Sequence, residues 1–203
     1  MPPRKKRYES ESRSQQREET KTRLLDAAEQ WFSEAGFDNV SVADIAATAK
    51  VVPSLINTYF AGKAGLLYAV VQRHNAPQWQ ALLGILTGPG PALERLDRFI
   101  ATQAAMDLDR PRLLAALQGL SWNWPPETEA RNLEELRPVR EALMALLRDG
   151  AAEGTMRAVP EAEATEIIMA TYTHGLRPAV FGTLTGADSA ARIQSLLRRL
   201  LAA

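Results

Sequence analysis

The stretch KVVPSLINTYFAGKAGLL, residues 50–67, determines how the rest of the chain is interpreted. It contains a short apolar run with Pro53 near its start, followed by a polar pair, an aromatic pair and a lysine. Proline is tolerated in the first turn of a helix, because its missing N–H would have no intrahelical partner there. The stretch therefore predicts a helix of under two turns that starts at Pro53 and ends near Phe60.

The preceding residues predict two more helices. Apolar residues recur at three-to-four spacing before Gly36, which stands where a helix C′ glycine belongs, so the first helix should end near Ala35. Ser41 and Asp44 are spaced as a capping box and open a second helix, which is expected to run through Ala49. Two short helices joined by a tight turn make a helix-turn-helix.

The helix that starts at Pro53 should have one buried and one exposed face. Its apolar residues are expected to pack on Trp31, Phe32, Val42 and Ile45, and they are Val51, Ile56 and Phe60. The outward positions are Pro53, Ser54, Asn57 and Thr58, flanked by Leu55 and Tyr59. A small, uncharged polar face suits a DNA major groove, where amide and hydroxyl groups bond base edges. Lys63, at the start of the next helix, is expected to face a phosphate.

Residues 22–71 resemble the DNA-binding region of the tetracycline-repressor (TetR-like) family of bacterial transcriptional regulators. The matching residues are Thr22, Leu25, Ala27, Ala28, Phe32, Gly36, Phe37, Ser41, Val42, Ile45, Ala46, Ala49, Val51, Ile56, Tyr59, Phe60, Lys63, Leu66 and Leu67. The resemblance implies that Ser41, Tyr59 and Lys63 hold phosphates. It also implies that a second set lies against the groove, namely Pro53, Ser54, Leu55, Asn57 and Thr58.

The chain departs from the family pattern at four positions. Lys50 stands where a turn glycine is frequent, Val52 replaces a frequent serine N-cap, Leu55 a frequent threonine and Asn57 a frequent tyrosine. A lost cap costs about 1 kcal/mol, and a non-glycine residue at positive φ costs a similar amount. The fold should therefore survive, and the departures bear on the operator sequence and the strength of backbone contacts.

The apolar pattern predicts helices in the remainder of the chain as well. After a long helix that stops at Gly88, further helices are predicted at about 92–107, 110–122, 131–149, 161–183 and 188–202, and no segment has the alternation of a half-buried strand. We therefore expect an all-α protein of about nine helices. It should comprise a flexible basic and polar arm at residues 1–17, a helix-turn-helix domain at 18–62 and a helical regulatory domain at 63–203.

The arm carries a basic run, Arg4-Lys5-Lys6-Arg7, in a chain of zero net charge. Two interpretations remain open, a solvated disordered tail or an extension that follows the DNA backbone or enters the minor groove.

The resemblance implies that the last two helices pair with their twofold mates in a homodimer. The alternative is that the apolar faces of these two helices are internal core. The residues of these faces are Ala164, Ile167, Ile168, Thr171, Tyr172, Gly175 and Leu176 on the first helix and Ile193, Leu196, Leu197, Leu200 and Leu201 on the second. The resemblance also implies a pocket for a small-molecule effector. Its candidate residues, each of which could instead be plain core, are Trp79, Phe99, Met106, Leu117, Trp122, Trp124, Met144, Tyr172 and His174. For His174, the sequence slightly favours a core histidine.

The composition argues against other classes of protein. There is no cysteine, neither histidine has a metal-like neighbour, and no Gly-rich phosphate loop occurs, so we expect no enzyme, metal or cofactor. No apolar run approaches the roughly 20 residues that span a bilayer, so a cytoplasmic protein without membrane contact is expected. The predicted function is a ligand-responsive repressor that binds a palindromic operator as a homodimer. The alternatives are an architectural DNA-binding protein without sequence preference and an enzyme built on the helical domain.

Overall fold

The computed structural model describes the backbone of residues 4–203 and the side chains from residue 12 onward. The described residues form helices and no β-strand, which confirms the all-α prediction. The helices are α1 (Arg4–Glu34), α2 (Val42–Thr48), α3 (Ser54–Phe60), α4 (Lys63–Thr87), α5 (Ala92–Asp107), α6 (Pro111–Ser121), α7 (Pro126–Ala152), α8 (Glu161–Gly175), α9 (Arg177–Val180) and α10 (Gly186–Leu201).

The first helix begins earlier than the apolar pattern predicts. α1 starts at Arg4, whereas the sequence placed a flexible arm over residues 1–17. The added segment is rich in Arg, Glu, Gln and Lys, which are good helix formers even where no apolar stripe marks a buried face. The side chains of the basic run at residues 4–7 lie outside the described ones, so their role stays a prediction.

The predicted helix over residues 161–183 is divided in two. α8 ends at Gly175, and after Leu176 a single turn, α9, follows. Pro178 explains the break, because it has no N–H to donate to the carbonyl of His174 and its ring would clash with that carbonyl. α7, by contrast, is longer than predicted at both ends and starts at Pro126, a favourable first-turn position.

The chain forms two compact units. The first runs to Arg73 and includes Ala116–Trp124, so it extends beyond the expected domain boundary at residue 62. Its core is formed by buried residues of α1, α2, α3 and α4, which include Leu24, Ala28, Phe32, Ile45, Ile56, Leu66 and Leu67. On α4, Arg73 donates to Asp26 at 2.6 Å and also to Glu29, which ties α4 to α1.

The second unit comprises residues 74–115 and 125–203. α10 packs on α5 and α8, and α7 packs on α8 and α5, around a core that includes Leu96, Ile100, Leu143, Leu146, Ile168, Ile193 and Leu197. Gly175 marks the close approach of α8 and α10, since a Cβ there would lie 2.8 Å from Ile193 Cδ1. In the same unit, the two terminal guanidinium nitrogens of buried Arg95 donate to the Leu86 carbonyl and to Asp149 at 2.7 and 2.8 Å.

The described part of the chain offers neither a membrane-spanning helix nor a metal-binding cluster. None of its helices has the length and apolar character needed to cross a membrane. None of its His, Asp and Glu side chains form a group of three or more that could hold a metal ion.

Candidate nucleic-acid interface

The capping box at the start of α2 is confirmed. The Asp44 amide donates to Ser41 Oγ at 3.1 Å, and the Ser41 amide donates to Asp44 Oδ2 at 3.0 Å. The Ser41 hydroxyl also donates to Asp44 Oδ2 at 2.6 Å, and these hydrogen bonds lower the pKa of the Asp44 carboxyl. Ser41 is therefore fixed at the exposed start of α2, where the resemblance implies a phosphate contact.

The turn between α2 and α3 is a Schellman motif. The Val51 amide donates to the Ala46 carbonyl at 3.0 Å and the Lys50 amide to the Ala47 carbonyl at 3.1 Å. Lys50 occupies the left-handed position with φ of 55°. The expected positive φ at this departure from the family pattern is thus present, and a lysine accepts a conformation that glycine adopts more easily.

The start of α3 has no side-chain cap. Val52 is 59% exposed, and Pro53 follows it without a capping hydrogen bond. The Leu55 amide instead donates to the Val52 carbonyl and the Ile56 amide to the Pro53 carbonyl, each at 3.1 Å, so backbone bonds alone close the first turn. With valine at position 52, no side chain caps the start of α3, as predicted.

The outer face of α3 is exposed as predicted, whereas on the predicted inner face only Ile56 is fully buried and Val51 and Phe60 are half-buried. Ile56 has 0% of its surface exposed and anchors the helix in the core of the first unit. Leu55 and Tyr59 are half-buried at the flanks. The four predicted outward residues are all exposed, namely Pro53, Ser54, Asn57 and Thr58. Because the outer face carries one amide and two hydroxyls, it can donate to and accept from base edges.

Lys63 lies where α4 begins, after two left-handed residues, Ala61 and Gly62, with φ of 57° and 102°. Its Nζ lies 4.2 Å from the ring centroid of Phe37, a cation–π contact that places the ammonium at the junction of α3 and α4. Sequence reasoning missed the role of Gly65. A Cβ at this position would overlap the carbonyl oxygen of Phe60. This glycine permits the close packing of α4 on the end of α3 that positions Lys63.

Sequence reasoning also missed Arg17. Its guanidinium carbon lies 5.4 Å from the ring centroid of Tyr59, so α1 reaches the edge of α3. To predict this contact, the first helix would have had to be extended through the polar segment that precedes Arg17.

The predicted effector residues lie in both units. In the first unit, Trp122 is 92% exposed, whereas Trp124 is half-buried and meets the ring of Tyr68 edge-on with centroids 5.3 Å apart. The two tryptophans therefore have different surroundings. Leu117 is half-buried in the same unit, and six candidates lie in the second unit, with Phe99 and Tyr172 buried, Trp79, Met106 and Met144 half-buried and His174 exposed.

The interpretation of His174 as a core histidine is wrong. The buried positions of α8 follow four-residue steps through Ile168 and Tyr172. His174 comes two residues after Tyr172, which places it about 200° around the helix and out of the core.

The second unit contains a buried polar pair that the sequence analysis did not select. The Tyr172 hydroxyl, on α8, donates to Asp107 Oδ2 at the end of α5, with the two oxygens 2.5 Å apart. Burial raises the pKa of the Asp107 carboxyl, while the hydrogen bond from Tyr172 and the charge of His74 lower it. Burial also raises the pKa of Tyr172, and the neighbouring carboxyl adds to this effect, so the hydroxyl stays protonated and donates.

The surface of α8 and α10 has an apolar groove of about 170 Å³. Ile167 on α8 and Leu200 on α10 are each 51% exposed beside it. Ile168, which follows Ile167, and Leu197, three residues before Leu200, are buried inside the second unit. One part of each apolar face is therefore core, and another part lies on the surface.

The N-terminal region matches a known family. Residues 24–70 match the model of the bacterial regulatory proteins of the tetR family. No curated protein shows detectable sequence similarity to the chain.

Solved structures with a similar fold include several transcriptional regulators. FadR from Bacillus subtilis, in complex with stearoyl-CoA, has a TM-score of 0.70 at 19% identity, with 87% of this chain and 96% of that chain covered. A TetR/AcrR-family regulator from Thermobifida fusca YX-ER1 has a TM-score of 0.68 at 24% identity, covering 88% and 96%. A TetR-family regulator from Pectobacterium atrosepticum has a TM-score of 0.69 at 22% identity, covering 91% and 93%.

The family match falls on the capped α2, the Schellman turn and the exposed face of α3, and the fold match extends over most of both units. Residues 24–70 therefore match the tetR family model, and the chain has the fold of solved TetR-family transcriptional regulators.

Proposed function

We propose that the protein is a ligand-responsive transcriptional repressor that binds a palindromic operator as a homodimer. The observation that carries this proposal is the exposed polar face of α3, held outward by the wholly buried Ile56. A recognition helix needs this combination, because its inner face must fix its position while its outer face stays free for the major groove.

The residues of the interface divide into two roles. Asn57, Thr58 and Ser54 offer hydrogen bonds to base edges, while Pro53 and Leu55 offer apolar contacts to thymine methyl groups. Ser41, Tyr59 and Lys63 stand around this face and bind phosphates, which set the register but carry no sequence information. The cation–π contact with Phe37 supports the role of Lys63, because it holds the ammonium in place before DNA arrives.

Selection of bound sequences from a random duplex pool tests this proposal first. A twofold-symmetric motif is expected, with half-sites about one helical turn apart or a multiple of it. Binding to the selected duplex should exceed binding to a scrambled one by about a thousandfold or more. Enrichment of no motif, or equal binding to both duplexes at every salt concentration, would instead favour an architectural protein without sequence preference.

A matched pair of variants tests the two roles. Lys63→Ala should weaken binding to all duplexes alike and lower the salt dependence, because it removes a phosphate contact. Asn57→Ala should change the order of preference among sequences at the positions it reads, at a cost of about 1–3 kcal/mol. Equal effects of both substitutions on scrambled DNA would contradict the division of roles.

The homodimer is supported by the apolar surface of α8 and α10. Two apolar side chains, Ile167 and Leu200, lie half exposed beside a groove. A twofold pairing of the two helices with their mates would bury these side chains in a four-helix arrangement and give the self-complementary contact that C2 symmetry requires.

The response to a small molecule is supported by the fold neighbour that was solved with stearoyl-CoA bound. In the second unit, the predicted effector residues and the buried Asp107–Tyr172 pair give aromatic surface and a polar point of attachment. Ligand binding would favour a dimer conformation whose recognition helices no longer fit the operator, to the extent that the ligand prefers that state.

Variants at the two tryptophans test the effector response. Trp124→Ala should reduce release of the operator by an effector found in a thermal-shift screen, with operator affinity nearly unchanged. Trp122→Ala is expected to act in the same direction. Because Trp122 is almost fully exposed, its substitution should leave the melting temperature unchanged, whereas loss of the fold in the Trp124 variant would indicate a purely structural role for that residue.

A further inference from the structure

α1 reaches the proposed DNA interface at Arg17. Arg17, on α1, places its guanidinium 5.4 Å from the centre of the Tyr59 ring, on α3. Tyr59 flanks the outward face of α3 and is one of the proposed phosphate-binding residues. Arg17 is exposed, so its charge at this edge is available to a ligand larger than a side chain.

A second arginine continues the same surface. Arg13 precedes Arg17 by one helical turn, and residues four apart lie on one face of a helix. Within the part of the chain whose side chains are described, neither arginine has a carboxylate partner, whereas the next cation along α1, Lys21, is paired with Glu18 at 2.8 Å. Arg13 and Arg17 therefore form a strip of two positive charges that no described carboxylate neutralises, here called the α1 strip.

We propose that the α1 strip binds the phosphate backbone of duplex DNA and extends the footprint beyond the helix-turn-helix. This inference rests on the proposed function, because it uses the placement of Tyr59 at a phosphate. Two exposed guanidinium groups lie on one helical face, and one of them contacts a proposed phosphate-binding residue. Their charge suits a nucleic-acid backbone better than any neutral partner.

The helical setting of the strip distinguishes it from a flexible basic arm. A disordered arm loses conformational entropy when it binds, whereas side chains on a preformed helix lose only rotamer freedom. The cation–π contact with Tyr59 further orients Arg17 before DNA binds. The strip should therefore contribute to affinity at every sequence, because it meets phosphates and no base edges.

Salt dependence is the quantity that tests this proposal. Each lost phosphate contact should lower the slope of log K against log salt concentration by about 0.9, and should weaken binding roughly fivefold near 150 mM salt. Binding of Arg17→Gln, Arg13→Gln and the double variant would be measured by fluorescence anisotropy between 50 and 200 mM KCl. The probes are a labelled duplex carrying the selected motif and a scrambled duplex of equal length.

The control is Arg148→Gln, which makes the same change of charge at an exposed position of α7 in the second unit. Arg17→Lys is a second control, since it keeps the charge and should keep the slope. Glutamine is nearly as good a helix former as arginine, so the variants should remain folded, and circular dichroism with a thermal melt would check this.

Three results decide between the possibilities. Lower slopes on both duplexes for the strip variants, with slopes unchanged for Arg148→Gln and Arg17→Lys, support the α1 strip. Unchanged slopes for the folded strip variants, or a loss confined to one of the two sequences, would overturn it. If the wild-type protein binds the two duplexes equally while the strip variants still lower the slope, the strip stands and the sequence-specific function fails.

Discussion

The exposed faces of α3 and of α8 with α10 are made in opposite ways. α3 hides a single large apolar residue, Ile56, and presents amide and hydroxyl groups to the outside. α8 and α10 bury one apolar row against their own unit and still leave Ile167 and Leu200 half exposed.

The difference indicates two kinds of partner. A polar face stays hydrated until a hydrogen-bonding ligand replaces the water, which suits reversible reading of DNA. An apolar face of this kind gains free energy whenever it is covered, which suits a contact that persists between copies of the chain. The variants below change one face, or the helices beneath it, and leave the other unchanged.

The largest effect is expected from a charge on the apolar face. Ile167→Glu would place a carboxylate in the proposed dimer contact, and an unpaired buried charge should cost enough to weaken self-association by about a hundredfold or more. Ala162→Glu, at an exposed position about 140° around the same helix, is the matched control and should leave the dimer intact. Sedimentation velocity over a range of concentrations would measure both. An unchanged dimer in the Ile167 variant would place the interface elsewhere.

The next largest effect is expected where α8 and α10 touch. Gly175→Ala would push a methyl group into buried Ile193 and should cost about 1–3 kcal/mol of unfolding free energy. Gly84→Ala on α4 is the control, because a Cβ there meets nothing within 4 Å, and it should raise the unfolding free energy by up to about 1 kcal/mol. Urea unfolding of both variants measures the contrast, and a loss of equal size at both glycines would contradict the close approach.

A gain of stability is expected at the left-handed turns of the DNA-binding region. Lys50→Gly and Ala61→Gly should each raise the unfolding free energy by about 0.5–1 kcal/mol, since glycine adopts positive φ without a steric penalty. Ala47→Gly, at an exposed right-handed position in α2, should lower it by up to about 1 kcal/mol. Thermal melts of the three variants would show whether the sign of the stability change follows the sign of φ. A change of the same sign in all three variants would contradict the positive φ of Lys50 and Ala61.

The smallest effect is a change in the pH dependence of stability. Burial raises the pKa of Asp107 in the folded protein, so its neutral form contributes stability that is fully present below the unfolded pKa and is lost as the pH rises through the folded pKa. Asp107→Asn stays neutral and still accepts from Tyr172. Its unfolding free energy should therefore decline less between pH 4 and pH 7 than that of the wild type.

Tyr172→Phe should act in the other direction, because it removes a hydrogen bond that lowers the pKa of Asp107. Urea unfolding in a series of buffers would compare the three proteins. Parallel pH profiles for all of them would show that the carboxyl titrates alike in the folded and unfolded chains.

Local signals predicted the DNA-binding region well. The capping box of Ser41 and Asp44, the C′ glycine at Gly36 and the short α3 each depend on residues within four positions of one another. The burial of Ile56 also followed from helical periodicity, because the inner face of a short amphipathic helix is visible in its own sequence.

Contacts between distant segments were not predictable in the same way. The cation–π pair of Arg17 and Tyr59 joins residues far apart in sequence, and it depends on a polar helix extension that has no apolar stripe to reveal it. The pairing of Asp107 with Tyr172 likewise requires α5 and α8 to be packed together before either residue has a partner. An isolated Asp or Tyr in a helix carries no signal for such a contact.

The sequence by itself determined the helices, their caps and the polar outer face of α3, because these follow from backbone hydrogen bonding and from periodicity along one segment. Only the tertiary structure decided that Arg17 meets Tyr59, that Gly65 and Gly175 stand where helices approach closely, and that Ile167 and Leu200 remain outside the core. The physical reason is that burial and contact depend on which helices cover one another, and the residues of a single helix do not specify its neighbours.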